Sequence, residues 1–294
     1  MKRSPVLRLA LIVLTLAGPA FALPAMWTVK TPRATLILFG SVHLLPPGLE
    51  WEPRALRDAV AHANEIWFEL PVDQTTEREV ARMAAQKGRL PAGDSLFNHL
   101  TAVQADHVRK ASRSLQIPPG YLAPMRPWLA EVTLSVIQDA RDGALPGQGV
   151  EQQLSAQTPL AVDRRAFETV REQIGFLAGA SMVDQADSLG DTASEITDDP
   201  GLFTRVLNEW LAGDLPALAK DAIDPVAAAS PEMYRRLITD RNRRWAAMLN
   251  QRLKGEGVIV VVVGAGHLLG PGGVPALLRE RGYHVEGPGL PPAH

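Results

Sequence analysis

Two segments far apart in the chain share one layout and one reactive residue. Leu36-Ile37-Leu38-Phe39 runs into Gly40-Ser41-Val42-His43, and Val260-Val261-Val262-Val263 runs into Gly264-Ala265-Gly266-His267. Each is an apolar, strand-like run followed by Gly-x-x-His. The glycine lets the backbone leave the strand at angles open to few other residues. The imidazole then lies past the carboxyl end of the strand, where open α/β sheets place their ligands. If the two strands are neighbours, the two imidazoles converge. Glu69 sits within a third apolar run, Ile66-Trp67-Phe68-Glu69-Leu70, where a carboxylate is costly unless it is paired or binds a cation. Two His and one carboxylate with an open position make a catalytic metal site, so His43, His267 and Glu69 are the expected ligands. Bland alternatives stand beside this reading: either His can cap its loop, and Glu69 can orient an imidazole or pair with an Arg. His62, His99, His107, His284 and His294 have no partners at ligand spacing and read as surface or structural residues.

The second site has a competitor. Val258 to Val263, then Gly264-x-Gly266-x-x-x-Gly270, a helix, a strand and Glu286 imitate a dinucleotide-binding unit. A pyrophosphate site needs a helix that starts within the glycine motif, and Pro271-Gly272-Gly273 delays it. Only eight residues follow Glu286, too few for a second mononucleotide half. The chain has no Gly-x-Ser-x-Gly elbow, no His-Glu-x-x-His and no Gly-Lys-Ser/Thr phosphate loop.

The elements that must position these residues emerge from pattern. Met26–Lys30 and Thr35–Phe39 read as two strands around a turn with Pro32. Leu56, Ala59, Val60 and Ala63 recur at helical spacing, and Ile66–Leu70 is the next strand. From Thr76 to about Ala140, and again from Leu202 to about Leu253, the pattern is helical. Leu160-Ala161-Val162 is a candidate short strand. The acidic stretch Asp184–Asp199 does not fit a calcium loop and reads as a solvated loop or helix edge. Six consecutive β-branched residues, Val258–Val263, require a central strand of a parallel-type sheet. A helix from Val274 and a strand at Tyr283–Glu286 close the chain. The expected fold is α/β: a mixed, mostly parallel central sheet flanked by helices, with a largely helical insertion at about 76–253.

Composition sets the outer limits. The 294 residues are 46% hydrophobic and 21% charged, which excludes wholesale disorder. With no Cys, disulfides, thiolate metal sites and Cys nucleophiles are excluded. The balance of 30 basic against 32 acidic residues leaves no electrostatic footprint for nucleic acid. Lys2, Arg3 and Arg8, the apolar run Leu9–Ala17 and the small-x-small Ala20-Phe21-Ala22 form a signal peptide cut near Ala22. Residues 23–294 are then one periplasmic or secreted domain, with no stable membrane anchor after cleavage.

The residues together resemble the TraB/GumN family, which is related to the Tiki metalloproteases and more distantly to erythromycin esterase-like and ChaN-like proteins. The resemblance rests on Gly40–Pro47, Trp67-Phe68-Glu69-Leu70 and Val263–Gly270. It continues through Arg126-Pro127-Trp128-Leu129, Gly149-Val150-Glu151, Phe167-Glu168-Thr169 with Gln173, and Arg241-Asn242 with Trp245. It implies an active site with His43 and His267, with Glu69, Glu151 and Glu168 as acidic members, and with Arg241 and Asn242 as its basic and amide positions. Phe167 departs from the smaller aliphatic residue of many relatives. The implied activity is that of a metal-dependent hydrolase, a peptidase, using Mn, Co or Zn, on a peptide or small-molecule substrate. His43, His267 and Glu69 would hold the ion, Glu151 or Glu168 would be general base, and Arg241 would stabilise the oxyanion. The alternatives are a metal-free hydrolase with a His base, and a binding protein that holds a peptide, metal or haem without turnover. Oligomeric state is not legible.

Overall fold

The computed structural model describes residues 23–118 and 120–289. The signal segment and His294 therefore lie outside the described residues. Six strands form one sheet: β1 (Met26–Lys30), β2 (Ala34–Ser41), β3 (Glu65–Phe68), β4 (Asp163–Ala166), β5 (Gly257–Gly264) and β6 (Val285–Glu286), in the spatial order β4-β3-β5-β2-β1-β6. β4, β3, β5 and β2 run parallel, whereas β1 is antiparallel to both β2 and β6. The fold is the expected mixed, mostly parallel α/β sheet.

β5 is central because its β-branched run can be covered on both faces. Val260 and Val262 pack with Ile37, Phe39, Ile66 and Trp210 on one side. Ile259, Val261 and Val263 pack with Leu36, Leu38, Trp245 and Leu278 on the other. This is the two-sided burial that period-2 side chains give a covered strand. The β2–β5 register sets Gly40 beside Val263 and Ser41 beside Gly264. Both Gly-x-x-His segments thus leave the same edge of the sheet side by side.

The structure shifts one expected strand. β4 is Asp163–Ala166, not Leu160–Val162, and its first three residues are exposed. It joins the sheet only as an edge paired with β3, so it needs neither alternation nor apolar character. The acidic stretch lies on the helix Met182–Asp198, which buries Gln185, Ala186, Leu189, Ala193 and Ile196. The helical region builds a core of its own around Leu96, Val108, Leu134 and Leu189. After β5 the chain makes a 3-10 turn, Ala265–Leu268, and the next helix, Val274–Glu280, starts beyond the glycine motif. No helix begins where a pyrophosphate would need one.

Candidate active site at the strand ends

His43 leaves β2, His267 leaves β5 and Glu69 comes directly after β3, so three adjacent parallel strands deliver them to one cleft of about 510 Å³. Gly264 lies at its centre. A Cβ built there would sit 3.2 Å from Glu69 Oε1, 3.5 Å from His43 Nε2 and 3.7 Å from His267 Cδ2. Any larger residue would fill the space these groups share. Gly149 is equally constrained, because a Cβ there would meet the His43 carbonyl. This close approach seats the helix Val150–Gln157, and with it Glu151, beside the first His loop.

Both imidazoles are held by Nδ1. His43 Nδ1 lies 2.7 Å from Glu151 Oε1, which also accepts from Ser41 Oγ at 2.5 Å. His267 Nδ1 lies 2.6 Å from Asn242 Oδ1. The Asn242 amide donates to Gly272 O at 2.9 Å, so its oxygen must face the ring and its partner must be an N–H. Asn242 thus fixes the His267 proton on Nδ1 and leaves its Nε2 to accept from a neighbouring donor. Otherwise the two differ. The His43 side chain is 67% exposed and that of His267 is 5% exposed. His267 stacks on Trp245 with centroids 4.4 Å apart. The Glu151 charge raises the His43 imidazolium to about 10, so at neutral pH this ring is protonated on both nitrogens and gains a lone pair at Nε2 only when it gives up that proton. Burial pushes His267 down to about 3, and the Arg241 charge adds to this. His267 is neutral at any working pH.

Arg241 organises the carboxylates. Its Nη2 reaches Glu69 Oε2 at 2.5 Å and Glu168 Oε2 at 2.9 Å, and its Nε reaches Glu168 Oε1 at 2.9 Å. Its Nη1 reaches His267 Nε2 at 3.0 Å and the Leu237 carbonyl at 2.9 Å. That carbonyl belongs to a π-helical turn, Arg235–Thr239, just before the helix Asp240–Arg252. The wider π ladder leaves the Leu237 oxygen to a side chain. Burial alone would raise the Glu69 carboxyl. The neighbouring His267 and Arg241, with the Gly264 N–H at 2.8 Å, instead hold it down at about 2.

The structure separates the expected residues into two sets. His43, His267, Glu69 and Arg241 line the cleft. Glu168 stands behind Arg241 with its side chain fully buried, and it also accepts from Arg244 at 2.7 Å and Trp245 at 3.0 Å. Every Glu168 hydrogen bond among the described residues is to a donor of the protein, an arrangement that positions Arg241. Asn242 and Glu151 act on the imidazoles from the side away from the cleft. Phe167 lies between Trp67 and Trp245, at 5.1 and 4.9 Å, and its larger ring supports the wall that carries His267. Two groups escape sequence reasoning. Ser41 steadies Glu151, and Gln173, whose spacing alone gives it no role, donates to Glu69 at 3.3 Å.

The donor set fits a small divalent cation only in part. His43 Nε2 and Glu69 Oε1 border the Gly264 space and both rings have the Nδ1 support usual for metal ligands, but Arg241 holds His267 Nε2, and among the described residues no three His, Asp or Glu side chains converge as an ion would need.

No solved structure matches the chain. It is similar to the Uncharacterized protein YbaP of Escherichia coli (strain K12), 24% identical over 269 residues that cover 90% of this chain and 95% of that protein. It is likewise 24% identical to the YbaP of Shigella flexneri over 247 residues, 82% of this chain and 87% of that one. Residues 25–287, which carry the sheet and every residue of the cleft, match the TraB/PrgY/gumN family, and the chain belongs to that family.

Proposed function

We propose that the protein is an exported hydrolase that cleaves peptides at the His43–His267 cleft with a bound divalent cation. The observation that carries this reading is the convergence of two imidazoles, each held at Nδ1, with the Glu69 carboxylate around the Gly264 position. His43 Nε2, His267 Nε2 and Glu69 Oε1 would hold the ion. When bound, a Mn, Co or Zn ion lowers the pKa of water and polarises a carbonyl.

The remaining steps belong to the chain itself. Glu151 holds the His43 ring in place through Nδ1; only where Nε2 holds no ion could His43, once neutral, take a proton from water there and return it to the leaving amine. Arg241, fixed by Glu168 and by Leu237 O, brings a permanent positive charge to the cleft, where it can stabilise an oxyanion. The apolar wall of Phe203, Leu207, Leu218 and Ile223 suits an apolar side chain next to the bond that is cut.

One observation favours a second reading without metal. Arg241 Nη1 lies 3.0 Å from His267 Nε2, so the guanidinium already occupies the lone pair that an ion would take. His43 would then be the base alone.

Elemental analysis of residues 23–294, with peptide turnover before and after chelation, separates the readings. The expected result is one metal per chain, loss of turnover on chelation and recovery with Mn, Co or Zn. His43→Ala should abolish turnover, a loss on the order of 10²–10⁴-fold, and leave the melting temperature within a degree or so, because the side chain is largely exposed. Full turnover in the metal-free protein would establish the second reading. Tight peptide binding without turnover would make the protein a binder and end both.

A further inference from the structure

The cleft continues past the catalytic groups. Asp139, Phe203, Val206 and Ala222 line it and also line a second cavity between the helices Pro127–Arg141, Met182–Asp198 and Leu202–Ala212. That cavity passes Thr192, Glu195, Pro225 and Val226 into a third, which ends at Ser230. The three make one trough that leads away from His43.

Its chemistry changes along the way. Around the catalytic groups the wall is apolar. Farther out it carries Asp139, Asp191, Glu195, Asp199 and Asp221, and no Lys, Arg or His lines the second and third cavities. Asp199 and Asp221 are both held by Arg205, at 2.5 Å each. The Asp139, Asp191 and Glu195 carboxylates have no ion pair or hydrogen bond among the described residues. At the far end Ser230 is 3% exposed, and its hydroxyl has no partner there either. Burial, with Asp142 nearby, pushes Asp139 up to about 6, and burial with Asp191 and Asp199 raises Glu195. Asp139 and Glu195 are half-buried, so their unpaired charges cost free energy that an incoming cation would recover, whereas Asp191 is exposed and adds charge at the rim.

Spacing decides which cation. Among the described residues no three acidic or His side chains converge as an ion would need. Asp191 and Glu195 are instead four residues apart on one helix, about 6 Å along its axis. Alternate side chains of an extended peptide are about 6.6 Å apart on one face. This pair is spaced near the repeat of a peptide strand.

We propose that this trough is the substrate-binding groove for an extended basic peptide, with an apolar residue at the catalytic cleft and Lys or Arg at alternate positions beyond it. The identity of the cleft as a hydrolytic site rests on the reading above; the groove does not require turnover.

The test uses three labelled ten-residue peptides that share an apolar first half and carry Lys, Gln or Glu at alternate positions of the second. Binding to residues 23–294 is read by fluorescence anisotropy at low and high salt, for the unaltered chain and for the double variant Asp139→Asn/Glu195→Gln. The Lys peptide should bind at least tenfold more tightly than the Gln peptide, the Glu peptide more weakly still, and salt should reduce the gap. In the double variant, with its fold checked by a melt, the preference should fall to threefold or less. Equal binding of the three peptides, no binding of any, or a preference that survives in the double variant would each overturn the groove. Cleavage is scored separately on the same peptides. Selective binding without cleavage leaves the groove standing and removes the hydrolase, whereas cleavage blind to charge does the reverse.

Discussion

Two regions of this protein bury carboxylates, and they treat them in opposite ways. At the strand ends Glu69 and Glu168 are both bound by Arg241, and Glu168 takes three further bonds from Arg244, Trp245 and a second Arg241 nitrogen. In the helical lobe Glu131 receives only the hydroxyls of Ser188 and Thr192, and burial pushes it up to about 7. Asp139 and Glu195 have no partner among the described residues. A paired cluster holds reactive groups at fixed positions. An unpaired set leaves a field that a ligand can neutralise. The first region fixes its charges against one another, and the second leaves charges open, as the groove proposed above requires.

The largest expected effect breaks the paired region. Arg241→Met removes the guanidinium that, among the described residues, touches both Glu69 and Glu168, and leaves two buried carboxylates short of their charged partner, Glu69 with the Gly264 N–H and Gln173 and Glu168 with Arg244 and Trp245. Breaking a buried pair costs about 3–5 kcal/mol, so urea unfolding of the variant should show a loss of that order together with loss of turnover. A loss below about 1 kcal/mol would mean that the carboxylates find other partners, and that the cluster is less rigid than its contacts imply.

Part of this contrast is legible in the sequence and part is not. Val258–Val263 and the two Gly-x-x-His segments carry the sheet centre and the paired imidazoles, because a β-branched run admits one location and a strand end fixes where the next few residues lie. The difference between His43 and His267 is invisible there: it depends on Trp245, Asn242 and Arg241, which come from a helix 25 residues away in sequence from His267. Glu168 reads as a candidate base because its neighbours Phe167 and Thr169 do not reveal which way it faces. β4 is misplaced by pattern because an exposed edge strand has no apolar signature. The trough cannot be read at all, since Asp139 and Glu195 share a wall only once the helices are packed.

A middle-sized effect sharpens the comparison through pH. Glu131 holds its proton in the fold up to about 7, above the ordinary carboxylate range. Its contribution to stability is therefore full below about pH 4.5 and is lost as pH rises towards 7, at most about 3 kcal/mol. His267 works with the opposite sign. Its folded pKa is depressed to about 3, so its contribution is present above about pH 6.5 and is lost as pH falls towards 3. Between about pH 4.5 and 6.5 these two slopes oppose one another, so the informative quantity is the difference in stability between Glu131→Gln and the unaltered chain, which should grow across pH 4.5–7, level off above it and stay constant on the acid limb, as measured by denaturant unfolding across pH. A difference that does not change with pH would mean that Glu131 does not hold its proton in the fold.

The smallest effect on stability should come from filling the paired region without removing a charge. Gly264 has φ −46 and ψ 134, a conformation open to alanine, so Gly264→Ala carries no backbone strain. The substitution also narrows the unfolded ensemble, a gain of about 0.4–1 kcal/mol. Against this, the new methyl sits 3.2 Å from Glu69 Oε1 and 3.5 Å from His43 Nε2. His43 is exposed and can swing aside, whereas Glu69 is tied to Arg241 and to the Gly264 N–H and can move only a few tenths of an ångström. The two contributions nearly cancel, and the melting temperature should stay within about 3 °C. Turnover and bound metal should nevertheless fall sharply, because the methyl occupies the space that His43 Nε2 and the Glu69 carboxylate face. Full activity in Gly264→Ala would mean that nothing is held above this glycine during the reaction. The chemistry would then move to the exposed face of His43, with His267 and Arg241 reduced to supports.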